Sequence, residues 1–116
     1  MVGLDLFAGL PVGDYAGALD WYGKLFGGPP SFVVSDTEAV WELADHRSVY
    51  VEHLPGRAGG AMVTLFVDDL DERVTAASAR GVEPSSRETY ANGVRKVVYV
   101  DPDGNEIGFG GAPVAV

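Results

Sequence analysis

The chain repeats itself, and the repeat limits its fold more than any single motif. Val12-Gly13-Asp14-Tyr15 returns 55 residues later as Val67-Asp68-Asp69-Leu70, each time between an apolar run and a helical one. Aligned on Asp14 and Asp69, both halves read strand–helix–strand–strand–strand. An open sheet with one helix buries only one of its faces, so neither half makes a complete core alone. The prediction is an α+β fold of two tandem βαβββ modules, about 2–54 and about 61–111, joined by a linker over 55–60 within a single domain, 1–116. Clefts between packed modules are where ligands commonly go.

Local chemistry supports each element. Leu4, Leu6, Ala8, Leu10 and Val12 alternate with Asp5, Phe7, Gly9 and Pro11, the pattern of a strand over 2–12. Asp14 stands where a helix N-cap belongs, and Tyr15, Ala18, Leu19, Tyr22, Leu25 and Phe26 recur at helical spacing until Gly27-Gly28-Pro29-Pro30. Ser31–Ser35, Glu38–Ala44 and Arg47–His53 read as a three-stranded meander with turns at Asp36-Thr37 and Asp45-His46. The second half predicts a strand over Ala61–Val67, an N-cap at Asp69, and a helix carrying Leu70, Val74 and Ala77 to Gly81. An irregular strand follows within Val82–Tyr90, then strands over Val94–Val100 and Asn105–Phe109. The last two are joined by Asp101-Pro102-Asp103-Gly104-Asn105. Proline fixes φ there, and Asp-Gly-Asn tolerates the left-handed backbone of a hairpin turn.

A chain of 116 residues that is 47% hydrophobic, with a mean hydropathy of +0.09, has the composition of one folded domain. It has no cysteine, which excludes disulfides, thiolate metal sites and cysteine nucleophiles. No run reaches membrane-spanning length and no basic-then-apolar leader opens the sequence, so the expectation is a cytoplasmic protein without a membrane partner. Seventeen acidic against eight basic residues give a net charge of −9, which repels nucleic-acid phosphates and suits a cationic ligand.

Val12-Gly13-Asp14, Trp21-Tyr22-Gly23-Lys24-Leu25-Phe26-Gly27, Val67-Asp68-Asp69-Leu70 and Asp101-Pro102-Asp103-Gly104-Asn105 stand in the order and spacing of the vicinal oxygen chelate superfamily. The chain resembles that superfamily (glyoxalase I, bleomycin-resistance proteins, extradiol dioxygenases) from about residue 3 to residue 110. The resemblance implies a cup-shaped, curved mixed sheet with helices outside, and a homodimer. The cup closes either within one chain or between exchanged modules of two chains. Enzymes of this kind hold a divalent metal with His, Gln or Glu from the first and last strand of each module, and substrate oxygens complete the coordination.

Carried onto this sequence, the four ligand positions are Phe7, Glu52, Met62 and Gly108. Phenyl has no lone pair, a thioether is too soft for a hard cation, and glycine offers no side chain. Only Glu52 is a candidate ligand, so no metal cofactor is expected. His53 neighbours Glu52 on a strand and points to the opposite face; His46 lies in a turn; Glu106 is one pleat from Gly108. The same positions then read as a pocket lining: Phe7, Met62 and Gly108 with Tyr50, Glu52, Thr64 and Phe66, and Trp41 and Tyr99 if strand register allows. Aromatic faces stack, methionine adapts, and a carboxylate pairs a positive charge. Each residue also has a plainer role: Phe7 and Met62 as core, Glu52 paired with Arg47 or Arg95, Trp41 at a dimer contact.

The reading is a metal-free small-molecule-binding protein most like the bleomycin-resistance branch, sequestering an aromatic or cationic antibiotic or metabolite. The alternative is a lyase, isomerase or dioxygenase with a displaced metal or an acid–base site, in which Glu52 is the catalytic base.

Overall fold

The repeat folds twice into the same unit. In the computed structural model, which describes residues 2–114, the first unit comprises β1 (Leu6–Val12), α1 (Tyr15–Phe26), β2 (Phe32–Ser35), β3 (Glu38–Ala44) and β4 (Arg47–His53). The second comprises β5 (Met62–Val67), α2 (Leu70–Ala79), β6 (Ser86–Thr89), β7 (Arg95–Val100) and β8 (Glu106–Gly111). Met1 and residues 115–116, which the single-domain expectation includes, lie outside the described residues. Each unit is a four-stranded mixed sheet, ordered β1-β4-β3-β2 and β5-β8-β7-β6. The first strand runs parallel to the last and the other pairs are antiparallel.

The two helices begin differently. Asp14 caps α1 as its sequence suggests, accepting the Gly17 N–H at 3.0 Å, and Gly27 closes the helix at φ +89. Asp69 stands at the N-cap of α2 but makes no side-chain capping bond, because its carboxylate takes the Arg73 guanidinium one turn on. Asp71 and Glu72 in the first turn of α2 still complement the helix dipole. None of the described helices is long and apolar enough to cross a membrane.

Both sheets turn their helix-bearing faces to one core. Leu10 and Val12 of β1, Trp41 of β3, Val49 and Val51 of β4, Tyr22 and Leu25 of α1, and Tyr99, Ile107 and Phe109 of β7 and β8 belong to a single buried cluster. Tyr22, Phe26 and Trp41 form an aromatic nest in it, with ring centroids 5.8 to 6.0 Å apart. The other face of each sheet therefore points away from the core.

The turn Asp101–Asn105 ties the modules together. The buried Asp101 carboxylate accepts four hydrogen bonds: from the Tyr22 hydroxyl at 2.6 Å, Asn105 Nδ2 at 2.8 Å, and the N–H groups of Asp103 and Asn105 at 2.9 Å each. Asn105 also donates from Nδ2 to the Pro11 carbonyl at 2.8 Å and accepts the Ala61 N–H at 3.0 Å. A buried charge is tolerable only when satisfied in this way. Over the turn lies the linker, which contains one turn of 3-10 helix at Pro55–Arg57. Gly59 there, at φ +92, comes so close that a Cβ would collide with the Asp103 carbonyl oxygen. A second tie crosses from α2 to α1, where Arg80 donates to the carbonyls of Lys24 and, at 3.1 Å, Leu25.

Candidate functional site

Strand register assigns every candidate side chain to a face. Parallel pairing sets Phe7 beside Ser48, Gly9 beside Tyr50 and Pro11 beside Glu52, all on the open face of the first sheet. In the second sheet Met62 pairs with Glu106, Thr64 with Gly108 and Phe66 with Gly110, again on the open face. Large apolar side chains lie uncovered there: Phe7 is 48% exposed, Met62 75% and Phe66 67%.

Three glycines floor these open faces, and a longer side chain from a neighbouring strand lies over each. A Cβ on Gly9 would meet the Tyr50 ring at 2.7 Å, and one on Gly110 would meet Phe66 at 3.1 Å. A Cβ on Gly108 would meet Lys96 Cε at 2.9 Å and Thr64 Oγ1 at 3.3 Å. Gly108, read from the sequence as part of the pocket lining, has a lysine stem over it. Pairing about Asp103 in the β7–β8 hairpin puts Lys96 opposite Gly110 and Val98 opposite Gly108, so the motif's own symmetry carried the signal for Lys96.

Charge is uneven on these faces. Glu38 and Glu52 stand directly opposite each other on β3 and β4, a like-charge pair that destabilises a bare sheet. No ion pair among the described residues involves Glu38, Glu52 or Lys96. The partners suggested for Glu52 are ruled out by alternation. Arg47 and Arg95 fall on the helix side of their strands, with Val49 and Val97, and Arg95 pairs with Asp71 at 2.8 Å.

Two candidates belong elsewhere. Trp41 pairs with Val49 and Tyr99 with Ile107, so both enter the core, 3% and 1% exposed. Trp41 spends its indole N–H on the Gly28 carbonyl at 3.0 Å, which also removes it as an exposed dimer contact. Tyr99 has a hydroxyl with no partner among the described residues, and burial raises its pKa above the usual 10.0. Tyr15, at the margin of the first sheet, is raised by burial and then by Asp36 and Glu38.

Of the nine lining candidates, seven thus share the open faces, three on the first sheet and four on the second. The chain does not gather them into one pocket. A groove of about 920 Å³ among the described residues runs between the modules on their inner sides and is lined by Leu6, Ala8, Val49, Val63 and Leu65 among others; of the candidates only Thr64 and Phe66 reach it. The four family metal positions do not fit a divalent ion, since Phe7, Met62 and Gly108 give no donor and Glu52 gives one carboxylate. Among the described residues no three His, Asp or Glu side chains are gathered as a ligand set. His46 bonds to Asp5 in its turn, and His53, beside Val12, lies on the face opposite Glu52.

Comparisons with known proteins bear on this geometry. The chain from residue 3 to residue 109 matches the family model described as the Glyoxalase/Bleomycin resistance protein/Dioxygenase superfamily. A glyoxalase / bleomycin resistance protein from Catenulispora acidiphila DSM 44928 has a crystal structure 55% identical to it, with a TM-score of 0.93 over 96% of this chain and all of that one. A bleomycin-binding protein complexed with bleomycin is 20% identical, with a TM-score of 0.75 over 93% of this chain and 98% of that one. Lactoylglutathione lyase from Agrobacterium tumefaciens is 17% identical, with a TM-score of 0.76 over 95% and 94%. Comparison with curated proteins finds no match. The last two likenesses establish the fold alone; the family match over nearly the whole length and the 55% identity establish more, and the chain belongs to the glyoxalase/bleomycin resistance protein/dioxygenase superfamily.

Proposed function

We propose that this chain is a metal-free small-molecule-binding protein that takes a flat, cationic aromatic ligand on its open sheet faces, the cup being completed by a second copy. The observation that carries the reading is the pair of aromatic rings laid over glycine floors, Tyr50 on Gly9 and Phe66 on Gly110, next to an uncompensated Glu38–Glu52 pair. Rings held from below by a side-chain-free strand present their upper faces for stacking, and two unpaired carboxylates favour a positive charge. That a bleomycin-binding protein shares this fold supports a binding role.

What one chain leaves open supports the proposed dimer. β1 and β5 are sheet edges with one hydrogen-bonded neighbour each, and they carry Phe7 and Met62. A two-fold arrangement that sets β1 of one copy beside β5 of the other joins the two half-cups and covers the apolar groove between the modules.

Fluorescence titration with 9-aminoacridine, a planar cation, tests the binding reading. Saturable binding is expected, weakened about fivefold by Glu52→Gln, in line with a partly exposed ion pair. Absence of saturable binding, or an unchanged affinity in the variant, contradicts it. Dialysis against a chelator should leave the affinity as it was.

A further inference from the structure

We infer that the floor around Gly108 is an oxyanion subsite, so that the ligand of this cup carries a carboxylate or phenolate on the same aromatic frame as its basic nitrogen. The inference rests on the binding reading above and adds the second charge. Lys96 stands opposite Gly110 on β8 and opposite Glu88 on β6. Its side chain takes neither direct line: it makes no ion pair with Glu88 and leans diagonally over Gly108. Measured from the point where a Gly108 Cβ would stand, Cε is 2.9 Å away, Nζ 3.8 Å and the Thr64 hydroxyl 3.3 Å. An ammonium and a hydroxyl thus converge above a strand residue that has no side chain.

The chemistry of that convergence is one-sided. An ammonium offers only donors and a hydroxyl can add one, so an oxygen anion is the group that satisfies both. Met62 and Phe66, on the same face, flank the spot with exposed apolar surface that suits the ring bearing the anion. A carboxylate side chain at position 108 would occupy the place that the lysine tip now takes; with glycine there, Lys96 is the cation over this floor, although Glu88 opposite it and Glu106 opposite Met62 bring two carboxylates to the same face. On the open face of the first sheet the fixed charges are the carboxylates of Glu38, Glu42 and Glu52. A cup with a local ammonium over the Gly108 floor and carboxylates on the other sheet recognises an amphoteric aromatic better than a plain cation.

Two probes separate the inference from the reading beneath it: 9-aminoacridine and 9-aminoacridine-4-carboxylic acid. The native protein should bind the carboxylic acid about five- to tenfold more tightly than the parent, the range of a partly exposed charge-assisted hydrogen bond. In Lys96→Met the ratio of the two affinities should fall to about one, and Lys96→Arg should restore most of it. Gly108→Ala should reduce the ratio as well, because the new methyl displaces the lysine stem. Binding of the parent with no preference for the acid, or a preference that survives Lys96→Met, overturns the oxyanion subsite and leaves the cation site standing. Failure of both probes to bind the native protein overturns the binding reading and this inference together.

Discussion

Tyr22 and Tyr99 are both buried phenols, and their hydroxyls have opposite fates. Tyr22 donates to the Asp101 carboxylate at 2.6 Å, whereas Tyr99 has no partner among the described residues. A hydrogen bond to a charged group contributes about 1.5–3 kcal/mol, so Tyr22→Phe should lower stability by that amount in urea titration. Tyr99→Phe removes a buried polar atom that satisfies nothing and should be neutral or stabilising by up to about 1 kcal/mol. Alkaline pH sharpens the contrast. Burial, then the hydrogen bond to Asp101, raises the Tyr22 pKa above the usual 10.0. The folded phenol therefore keeps its proton where an unfolded tyrosine ionises. Its contribution is fully present below about pH 10 and is lost progressively as pH rises beyond that value. The alkaline decline of stability should be shallower in Tyr22→Phe than in the native chain, and equal slopes would contradict the assignment.

At the level of elements, the sequence resolved boundaries better than faces. The α1 cap, the meander and the final hairpin all follow from turn chemistry and periodicity. The face of Trp41 does not, and a bulge in β3 explains why. Ala44 pairs with Arg47 next to the turn, and continuing that register would set Trp41 opposite Tyr50 on the open face. Between Glu42 and Ala44 the register shifts by one residue, Glu42 meets Ser48, and Trp41 falls opposite Val49 in the core. A one-residue shift exchanges faces, and nothing in Glu42-Leu43-Ala44 announces it. The same shift brings Glu38 opposite Glu52, so the acidic pair was hidden with it. Helix starts tell a related story, since Asp14 and Asp69 look alike in sequence but only Asp14 caps. Asp14→Ala should cost about 1 kcal/mol in thermal or urea unfolding. Asp69→Ala loses only an exposed ion pair with Arg73 and should cost less than about 0.5 kcal/mol. Equal losses would mean that Asp69 caps in solution.

Across the whole molecule, strand alternation read from sequence assigned Phe7, Tyr50, Glu52, Met62, Thr64, Phe66 and Gly108 to faces, yet it is blind to whether the two faces meet. That depends on how modules pack, and here one shared core sends both open faces outward. The proposed closure by a second copy has a direct check at Leu6, which is exposed on β1 and lines the inter-module groove. Light scattering after gel filtration should give twice the chain mass for the native protein and the single-chain mass for Leu6→Glu, with circular dichroism unchanged. A native monomer, or a Leu6→Glu dimer, would refute the exchanged cup.

The turn at Asp101–Asn105 also sets a timetable for synthesis. Tyr22 and Pro11 wait for partners 79 and 94 residues downstream. While a ribosome is still extending the second module, the first has its strands and helix but no acceptor for the Tyr22 hydroxyl. Its inner apolar face also has nothing to close against. The nascent first half is therefore held short of its final packing until almost the last strand emerges. Commitment to the native state comes as one late event, which lengthens the time during which chaperones can act on the chain.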